Sequence, residues 1–219
     1  MLQKFLPCKN EFSKYLKTIG LSKDMLVFDV GAHKAQTSLY FNRLFKESTI
    51  HAFEPSSQLF EILERNVSLY ENIIAHNLAL GNMDGKAFLS TSNSDLCGQL
   101  SNEFREDSIE IDVCKLDSFC RKKNISHIDL LKIDVEGHEI EVLNGAKDLI
   151  SKNAVRALYL ECDFNSDDTQ HSYFPDVLDY LKSRNFAFHG IFDVIRYDCT
   201  YGIGYCNALF VNRSCRTPS

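Results

Sequence analysis

Residues 25–35 read Met25-Leu26-Val27-Phe28-Asp29-Val30-Gly31-Ala32-His33-Lys34-Ala35. The first six residues form an apolar run that contains a single acid, Asp29, and stops at Gly31, which is typical of a buried strand followed by a tight turn. Apolar residues at helical spacing then extend from about Gln36 to Phe45. The stretch therefore predicts a strand, a turn and a helix, which is the first part of a βαβ unit.

The same alternation continues along most of the chain. The further strands and helices that we predict are strands at 49–53, 73–80, 128–133 and 155–162, a helix after Ser56, and helices at 139–150 and 175–183. Short alternating strands interrupt this rhythm near 85–120, and two late strands, at 186–192 and 208–211, read as a hairpin. We predict an α/β fold, a doubly wound and mostly parallel sheet with an antiparallel last strand and a small β insertion.

The composition is that of an ordinary globular protein. Of the 219 residues, 44% are apolar and 25% are charged, which excludes disordered and collagen-like chains. There are 24 basic and 30 acidic residues, a net charge of −6, and the densest basic run is 121–123. A nucleic-acid partner needs a broad basic face, so we expect none.

The cysteine pattern and the N-terminal residues indicate the cellular compartment in which the protein is expected. The eight cysteines include no C-x-x-C pair, which predicts reduced thiols in a cytoplasmic protein. No signal peptide is evident, and no apolar run approaches the roughly 18 residues of a membrane span. We divide the chain into an N-terminal helical segment, 1–24, with an amphipathic helix at 11–19, and one domain, 25–219, which carries the β insertion.

Acids end two neighbouring predicted strands. Glu54 lies 23 residues after Gly31, close to the offset of about 20 at which an acid binds ribose hydroxyls. A dinucleotide fingerprint needs three glycines, and only Gly31 is present. The charge of Asp29 would repel a pyrophosphate and suit a cationic ligand such as S-adenosylmethionine. Taken singly, Asp29 is equally well explained as a helix cap and Glu54 as a solvated strand end, but together they favour a cofactor site.

The fourth long strand runs into a dense set of ionisable groups. Residues 132–139 read Lys-Ile-Asp-Val-Glu-Gly-His-Glu, and a buried strand would not tolerate these groups without partners. We therefore expect Asp134, Glu136 and His138 to face a polar cleft. A simpler alternative is that Glu136 and Glu139 complement the dipole of the following helix and that His138 is an ordinary loop histidine.

Several of these motifs occur in an order that resembles the FkbM family of S-adenosylmethionine-dependent methyltransferases. The resemblance covers roughly 26–163, and the motifs that carry it are Phe28-Asp29-Val30-Gly31-Ala32, Ala52-Phe53-Glu54-Pro55, Ala79-Leu80-Gly81, Leu116-Asp117-Ser118-Phe119, and Leu131 to Glu139 with Leu143-Asn144-Gly145-Ala146. It implies a single-domain class I methyltransferase fold and O-methylation of a sugar, glycolipid or secondary metabolite. The acceptor would be a small molecule or a glycan.

The resemblance also implies roles for individual residues. The cofactor positions that it implies are Asp29, Gly31 and Ala32 at the methionyl part, Glu54 at the ribose, Leu80 at the adenine, and His33, Pro55 and Asp134 nearby. His33 and Ala35 stand where the family usually has asparagine and glycine, and the methyl group of Ala35 is expected to narrow the room for the cofactor.

Methyl transfer to an alcohol requires that the acceptor be held in line and lose its proton. We expect His138 to be the base, with Asp134 or Glu136 orienting it or the acceptor. A divalent metal held by Asp134 with Glu161 or Asp163 is an alternative. A nicotinamide-dependent oxidoreductase and a catalytically inactive nucleoside-binding module also remain open. The acceptor is expected to lie against 90–101 and 164–174.

Overall fold

Helices and strands alternate as the hydrophobic pattern predicts. The structure is a computed structural model that describes residues 9–21, 23–90, 100–101, 103–168, 170–196 and 203–214. Its helices are α1 (Lys9–Thr18), α2 (Gln36–Leu44), α3 (Ser57–Val67), α4 (Leu116–Lys123), α5 (Glu139–Asn144), α6 (Lys147–Ser151) and α7 (Phe174–Lys182). Its strands are β1 (Leu26–Val30), β2 (Thr49–Phe53), β3 (Ile73–His76), β4 (Ala79–Gly81), β5 (Gly85–Ser90), β6 (Leu100–Ser101), β7 (Ser108–Lys115), β8 (Ile128–Ile133), β9 (Val155–Asp163), β10 (Ser172–Tyr173), β11 (Phe186–Phe192) and β12 (Tyr205–Asn212).

The main sheet has the strand order β11-β12-β9-β8-β1-β2-β3, and the short strand β10 pairs with β9. All its neighbouring strands run parallel except β12, which is antiparallel to both β9 and β11. This confirms the predicted doubly wound sheet with an antiparallel last strand. The chain leaves β1 towards β2 on one side and returns to β8 on the other, so a cleft opens at the carboxyl ends of β1 and β8.

The predicted strand at 73–80 is in fact two strands in different sheets. β3 stays in the main sheet, whereas β4 pairs in parallel with β7 in a second sheet of order β4-β7-β5-β6. The side chain of Asn77, between the two strands, donates to the carbonyl oxygens of Glu54 and Pro55 at 2.9 and 3.0 Å. This contact holds the chain at the end of β2 and lets Leu80 leave the main sheet.

The predicted helix at 139–150 is also divided, into α5 and α6, at Gly145. A methyl group at Gly145 would lie 1.9 Å from the carbonyl oxygen of Gly81, so this close approach requires glycine. The carboxylate of Asp117 then accepts the backbone N–H groups of Asp148 and Leu149 and caps α6. Asp117 lies in α4, a helix that begins within the stretch 85–120, where the pattern predicts strands only.

Hydrophobic side chains pack on both faces of the main sheet. Phe28 and Val30 of β1 belong to the core on one face, and Val27 belongs to the core on the other, together with Phe12 and Leu16 of α1. The N-terminal helix is therefore part of the same packed body as the sheet.

Among the described residues, Cys114, Cys120, Cys162 and Cys206 are free thiols. None of the helices in the described ranges combines the length and the apolar character that a bilayer crossing needs.

Candidate active site

A buried ion cluster lies where β1 and β8 end. The Nζ atom of Lys132 lies 3.1 Å from Oδ1 of Asp29 and 3.3 Å from Oδ2 of Asp134, and it donates to the carbonyl oxygen of Gly31 at 3.0 Å. Ser38, from α2, donates to the other Asp29 oxygen at 2.5 Å. Burial alone would lower the pKa of Lys132, but the carboxylates of Asp134 and Asp29 outweigh it and raise that pKa above its ordinary value. Lys132 therefore stays charged.

This cluster corrects the role expected of Asp29. The Asp29 side chain is fully buried, its charge is balanced by Lys132, and it is not among the described residues that line the neighbouring cavity. In the structure this carboxylate faces Lys132 instead of the cavity, because a buried carboxylate needs its own counter-charge. Asp29 instead fixes Lys132 beneath the first loop.

Glu54 fastens the first loop to the end of β2. It is 5% exposed, and its two carboxylate oxygens accept the backbone N–H groups of His33 and Ser56 at 3.0 and 2.9 Å. Burial raises the pKa of Glu54 to about 7, although the two N–H groups act in the opposite direction. Each oxygen accepts one hydrogen bond and keeps a further lone pair for a ligand.

The loop after β1 is a series of left-handed turns. Gly31, His33 and Ala35 have φ of +77°, +51° and +72°. A methyl group at Gly31 would lie 1.8 Å from the carbonyl oxygen of Asp134, so the two loops touch backbone to backbone at this point. Ala35 is fully buried and is not among the described cavity-lining residues, so its methyl group does not narrow the cavity as expected. The Nε2 atom of His33 is buried and has no hydrogen-bond partner among the described residues.

A cavity of about 880 Å³ opens above these loops, within the range of roughly 300–1,000 Å³ typical of small-molecule sites. The predicted site residues that line it are Gly31, Ala32, His33, Glu54, Pro55, Leu80, Asp134 and Glu136. They come from the loops after β1, β2 and β8 and from β4. The structure thus brings together most of the residues that the sequence singled out.

His138 is the second exception after Asp29. It is not among the described residues that line the cavity. Its Nδ1 atom is buried and has no hydrogen-bond partner among the residues that the structure describes. Left-handed φ angles at Glu136 and Gly137 turn the chain, so that His138 becomes the residue before α5. Glu139 is buried and accepts the N–H of Val135 and the hydroxyl of Ser172, so it holds the loop in place instead of facing solvent. The geometry therefore does not support His138 as the base.

The far half of the cavity is lined mostly by residues that the sequence did not single out, and His171 is the one that falls within a predicted acceptor segment, 164–174. The residues of this half are Tyr40, Tyr159, His171, Asp193, Tyr205 and Asn207, which lie beside Glu161. The Tyr159 hydroxyl donates to Asp193 at 2.6 Å. Tyr40 and Tyr159 lie in a helix and a strand that the pattern predicts, but nothing in that pattern marks them as cavity residues.

The two expected acceptor segments are partly described. Residues 91–99 of the first segment lie outside the described residues, but Leu89 and Leu100 on either side line the cavity. Gln170 and His171 of the second segment line it as well. Among the described residues, the one group whose ligand atoms all lie within 4.8 Å of one another, as metal binding requires, consists of Asp163, Asp168 and His171. The predicted metal site paired Asp134 with Glu161 or Asp163, and Asp134 is not part of this group.

Residues 29–188 match a family described as the methyltransferase FkbM domain. The chain belongs to the FkbM methyltransferase family. S-adenosylmethionine is the methyl donor of such enzymes and hence the cofactor of this protein. The oxidoreductase alternative is set aside, as the missing phosphate-binding glycines already indicated.

Two similar proteins are also methyltransferases by name. Methyltransferase 1 of Beauveria bassiana is 30% identical over 192 residues, which cover 75% of this chain and 73% of that protein. The 2-O-methyltransferase NoeI of Sinorhizobium fredii is 22% identical over 179 residues, which cover 73% of this chain and 72% of NoeI.

A solved FkbM methyltransferase, from Methylobacillus flagellatus, superposes with a TM-score of 0.56 and 16% identity. The match covers 84% of this chain but only 43% of that one, so this chain corresponds to less than half of that protein. The likeness confirms the class I methyltransferase fold.

Proposed function

We propose that this protein transfers the methyl group of S-adenosylmethionine to a hydroxyl group of a sugar, a glycolipid or another secondary metabolite. The observation that carries the proposal is the two-part cavity, in which loops suited to a nucleoside cofactor face a second wall of hydroxyl, amide and carboxyl groups. That second wall holds Tyr159, Asp193 and Asn207. Such groups donate and accept hydrogen bonds as a polyhydroxyl compound requires. The name of the relative NoeI, a 2-O-methyltransferase, agrees with transfer to oxygen.

The residues of the near half fit the cofactor. The free lone pairs of the Glu54 carboxylate suit the two ribose hydroxyls, and the close contact of Gly31 with the backbone of Asp134 leaves the first loop compact beneath the methionyl part. The unpartnered Nε2 atom of His33 offers a further polar contact. Leu80 and Pro55 would supply apolar contacts to the adenine ring.

The charge of the cavity also suits the donor. When bound, S-adenosylmethionine supplies an electrophilic methyl group on a positively charged sulfur. The described lining residues include five carboxyl side chains, Glu54, Asp134, Glu136, Glu161 and Asp193, against three basic ones, Lys34, Arg43 and Lys132. Burial raises the pKa of Glu54, Glu161 and Asp193, so part of this acidic lining is neutral near pH 7, and a cationic ligand would favour its ionised forms.

Labelled methyl transfer tests this proposal. The full-length protein is incubated with tritiated S-adenosylmethionine and with a panel of methyl glycosides, their 2-amino-2-deoxy counterparts and a lipid extract, and the products are identified by mass spectrometry. We expect label on hydroxyl oxygen in the glycosides or glycolipids. Label found on the amino groups alone would contradict O-methylation. Tight binding of S-adenosylhomocysteine without label in any fraction would indicate an inactive binding module.

A further inference from the structure

We infer that His171 is the general base that accepts the proton of the acceptor hydroxyl and that Asp168 is the residue that positions it. The inference rests on the proposed methylation of a hydroxyl group. His171 lies on the cavity wall just before β10, with a side chain that is 10% exposed. Its ring stacks on Tyr205, with ring centres 4.6 Å apart and planes inclined by 13°. The ring is thus held firmly and still reaches the cavity.

Asp168 determines which ring nitrogen carries the proton. Its Oδ1 atom lies 3.2 Å from Nδ1 of His171 and also accepts the backbone N–H groups of Gln170 and His171 at 2.6 and 3.0 Å. Partial burial would raise the pKa of Asp168, but the N–H of Gln170 and the adjacent His171 lower it below its ordinary value. A carboxylate can only accept, so the neutral imidazole must hold its proton on Nδ1 and keep its lone pair on Nε2.

The Nε2 atom of His171 faces Glu161, but the two are not tightly joined. The distance from Nε2 to Oε2 of Glu161 is 3.5 Å, longer than a normal N–H···O hydrogen bond. Among the residues that the structure describes, Asp163 and Tyr205 are further ionisable groups near the ring. Nε2 is therefore available to an acceptor hydroxyl.

The proton and electron balance of the step is complete. The hydroxyl proton passes to Nε2 of His171, the oxygen electron pair forms the bond to the methyl carbon, and the pair of the broken carbon–sulfur bond stays on sulfur as a neutral thioether. The resulting imidazolium faces the Asp168 carboxylate, which stabilises it, and it later releases the proton to solvent.

The first test requires no acceptor. The tautomer of His171 is determined by NMR of the ring nitrogens in the full-length protein labelled with ¹⁵N-histidine, at a mildly alkaline pH, and the signals are assigned by their loss in His171→Gln. We expect a proton on Nδ1 and an unprotonated Nε2, and a weaker preference in Asp168→Asn. A proton on Nε2 in the wild-type protein would overturn the inference.

The second test measures single-turnover methyl transfer to the hydroxyl acceptor found with the glycoside and lipid panel. A positioned base contributes about 10²–10⁴-fold, so His171→Gln should lower the rate by about 100-fold or more and leave the Kd of S-adenosylhomocysteine unchanged. The single-turnover rate of Asp168→Asn should lie between those of His171→Gln and the wild type, and the dependence of that rate on pH should change. The matched control is His127→Gln, since His127 also lies beside an aspartate, Asp129 at 3.7 Å, but is 65% exposed.

Other outcomes identify the rival explanations. Full activity of His171→Gln together with loss in His138→Gln would restore the base that the sequence suggested. Loss of wild-type activity in EDTA, with recovery on adding Mg²⁺, would make His171 a metal ligand beside Asp163 and Asp168 and overturn the base role. If the wild type methylates no hydroxyl at all, the proposed function fails, and the NMR result still decides whether Nε2 is free.

Discussion

Replacing Lys132 with methionine should destabilise the fold strongly, because it leaves Asp29 as a buried charge without a counter-ion. The Asp29 side chain is 0% exposed and, among the residues that the structure describes, would keep only the hydrogen bond from Ser38. Removing one partner of such a buried pair costs about 3–5 kcal/mol. The lost contact with Asp134 adds at most about 1 kcal/mol, because that side chain is 34% exposed and solvent screens it.

The assay is urea and thermal unfolding followed by circular dichroism. For a chain of this size 1 kcal/mol corresponds to about 2–4 °C in Tm, so we expect a fall of about 6–20 °C. The double variant Lys132→Met/Asp29→Asn removes the orphaned charge and should lose less stability than the sum of the single variants, with a coupling of about 0.5–3 kcal/mol. Lys86→Met is the control, since Lys86 forms its ion pairs with Glu110 and Asp112 in solvent and should matter little. A loss below about 1 kcal/mol for Lys132→Met, with additive behaviour of the double variant, would refute the reasoning.

Three further predictions concern the loops and the pH dependence. Gly31→Ala should abolish binding of S-adenosylhomocysteine in calorimetry, because the added methyl group would lie 1.8 Å from the carbonyl oxygen of Asp134 at a φ of +77°; binding at wild-type strength would contradict the close contact. Glu54→Gln should raise the Kd of S-adenosylhomocysteine about 10- to 100-fold, since hydrogen bonds to a charged group contribute about 1.5–3 kcal/mol. An unchanged Kd would show that Glu54 does not bind this ligand. Burial lowers the pKa of His51 and of His76 from 6.5 to about 4, so the unfolded chain takes up protons first and stability should fall as the pH drops from 6.5 towards 4. Urea unfolding of the wild type and of His51→Phe/His76→Phe checks this, and an equal acid sensitivity of the two would count against it.

Much of the fold could be predicted from local patterns. The limits of β2, β8 and β11 are those predicted, because each is a short apolar run between turn residues. The errors arose where a contact from elsewhere in the chain intervened. Asn77 divides one predicted strand by binding the carbonyl oxygens at the end of β2, and Gly145 divides one predicted helix at its contact with Gly81.

The candidate site divides in a similar way. Glu54 and Gly31 could be found from sequence because their roles depend on the ends of adjacent strands, and parallel strands bring such ends to one edge of the sheet. The sequence placed His171 within the expected acceptor segment 164–174, but its role as a base could not be predicted, because that role depends on Asp168 beside it and on Tyr205, which is 34 residues further along the chain.

The sequence by itself determined the alternation of strands and helices, the family and the cofactor, because hydrophobic period, turn residues and short motifs are local properties. Only the tertiary structure decided how the charges are used. It paired Asp29 with Lys132, left His138 off the cavity wall and placed His171 on it. The physical reason is that a buried charge is stable only beside a partner of opposite charge. Which residues become such neighbours depends on the register of the strands in the sheet and not on the order of residues in the sequence.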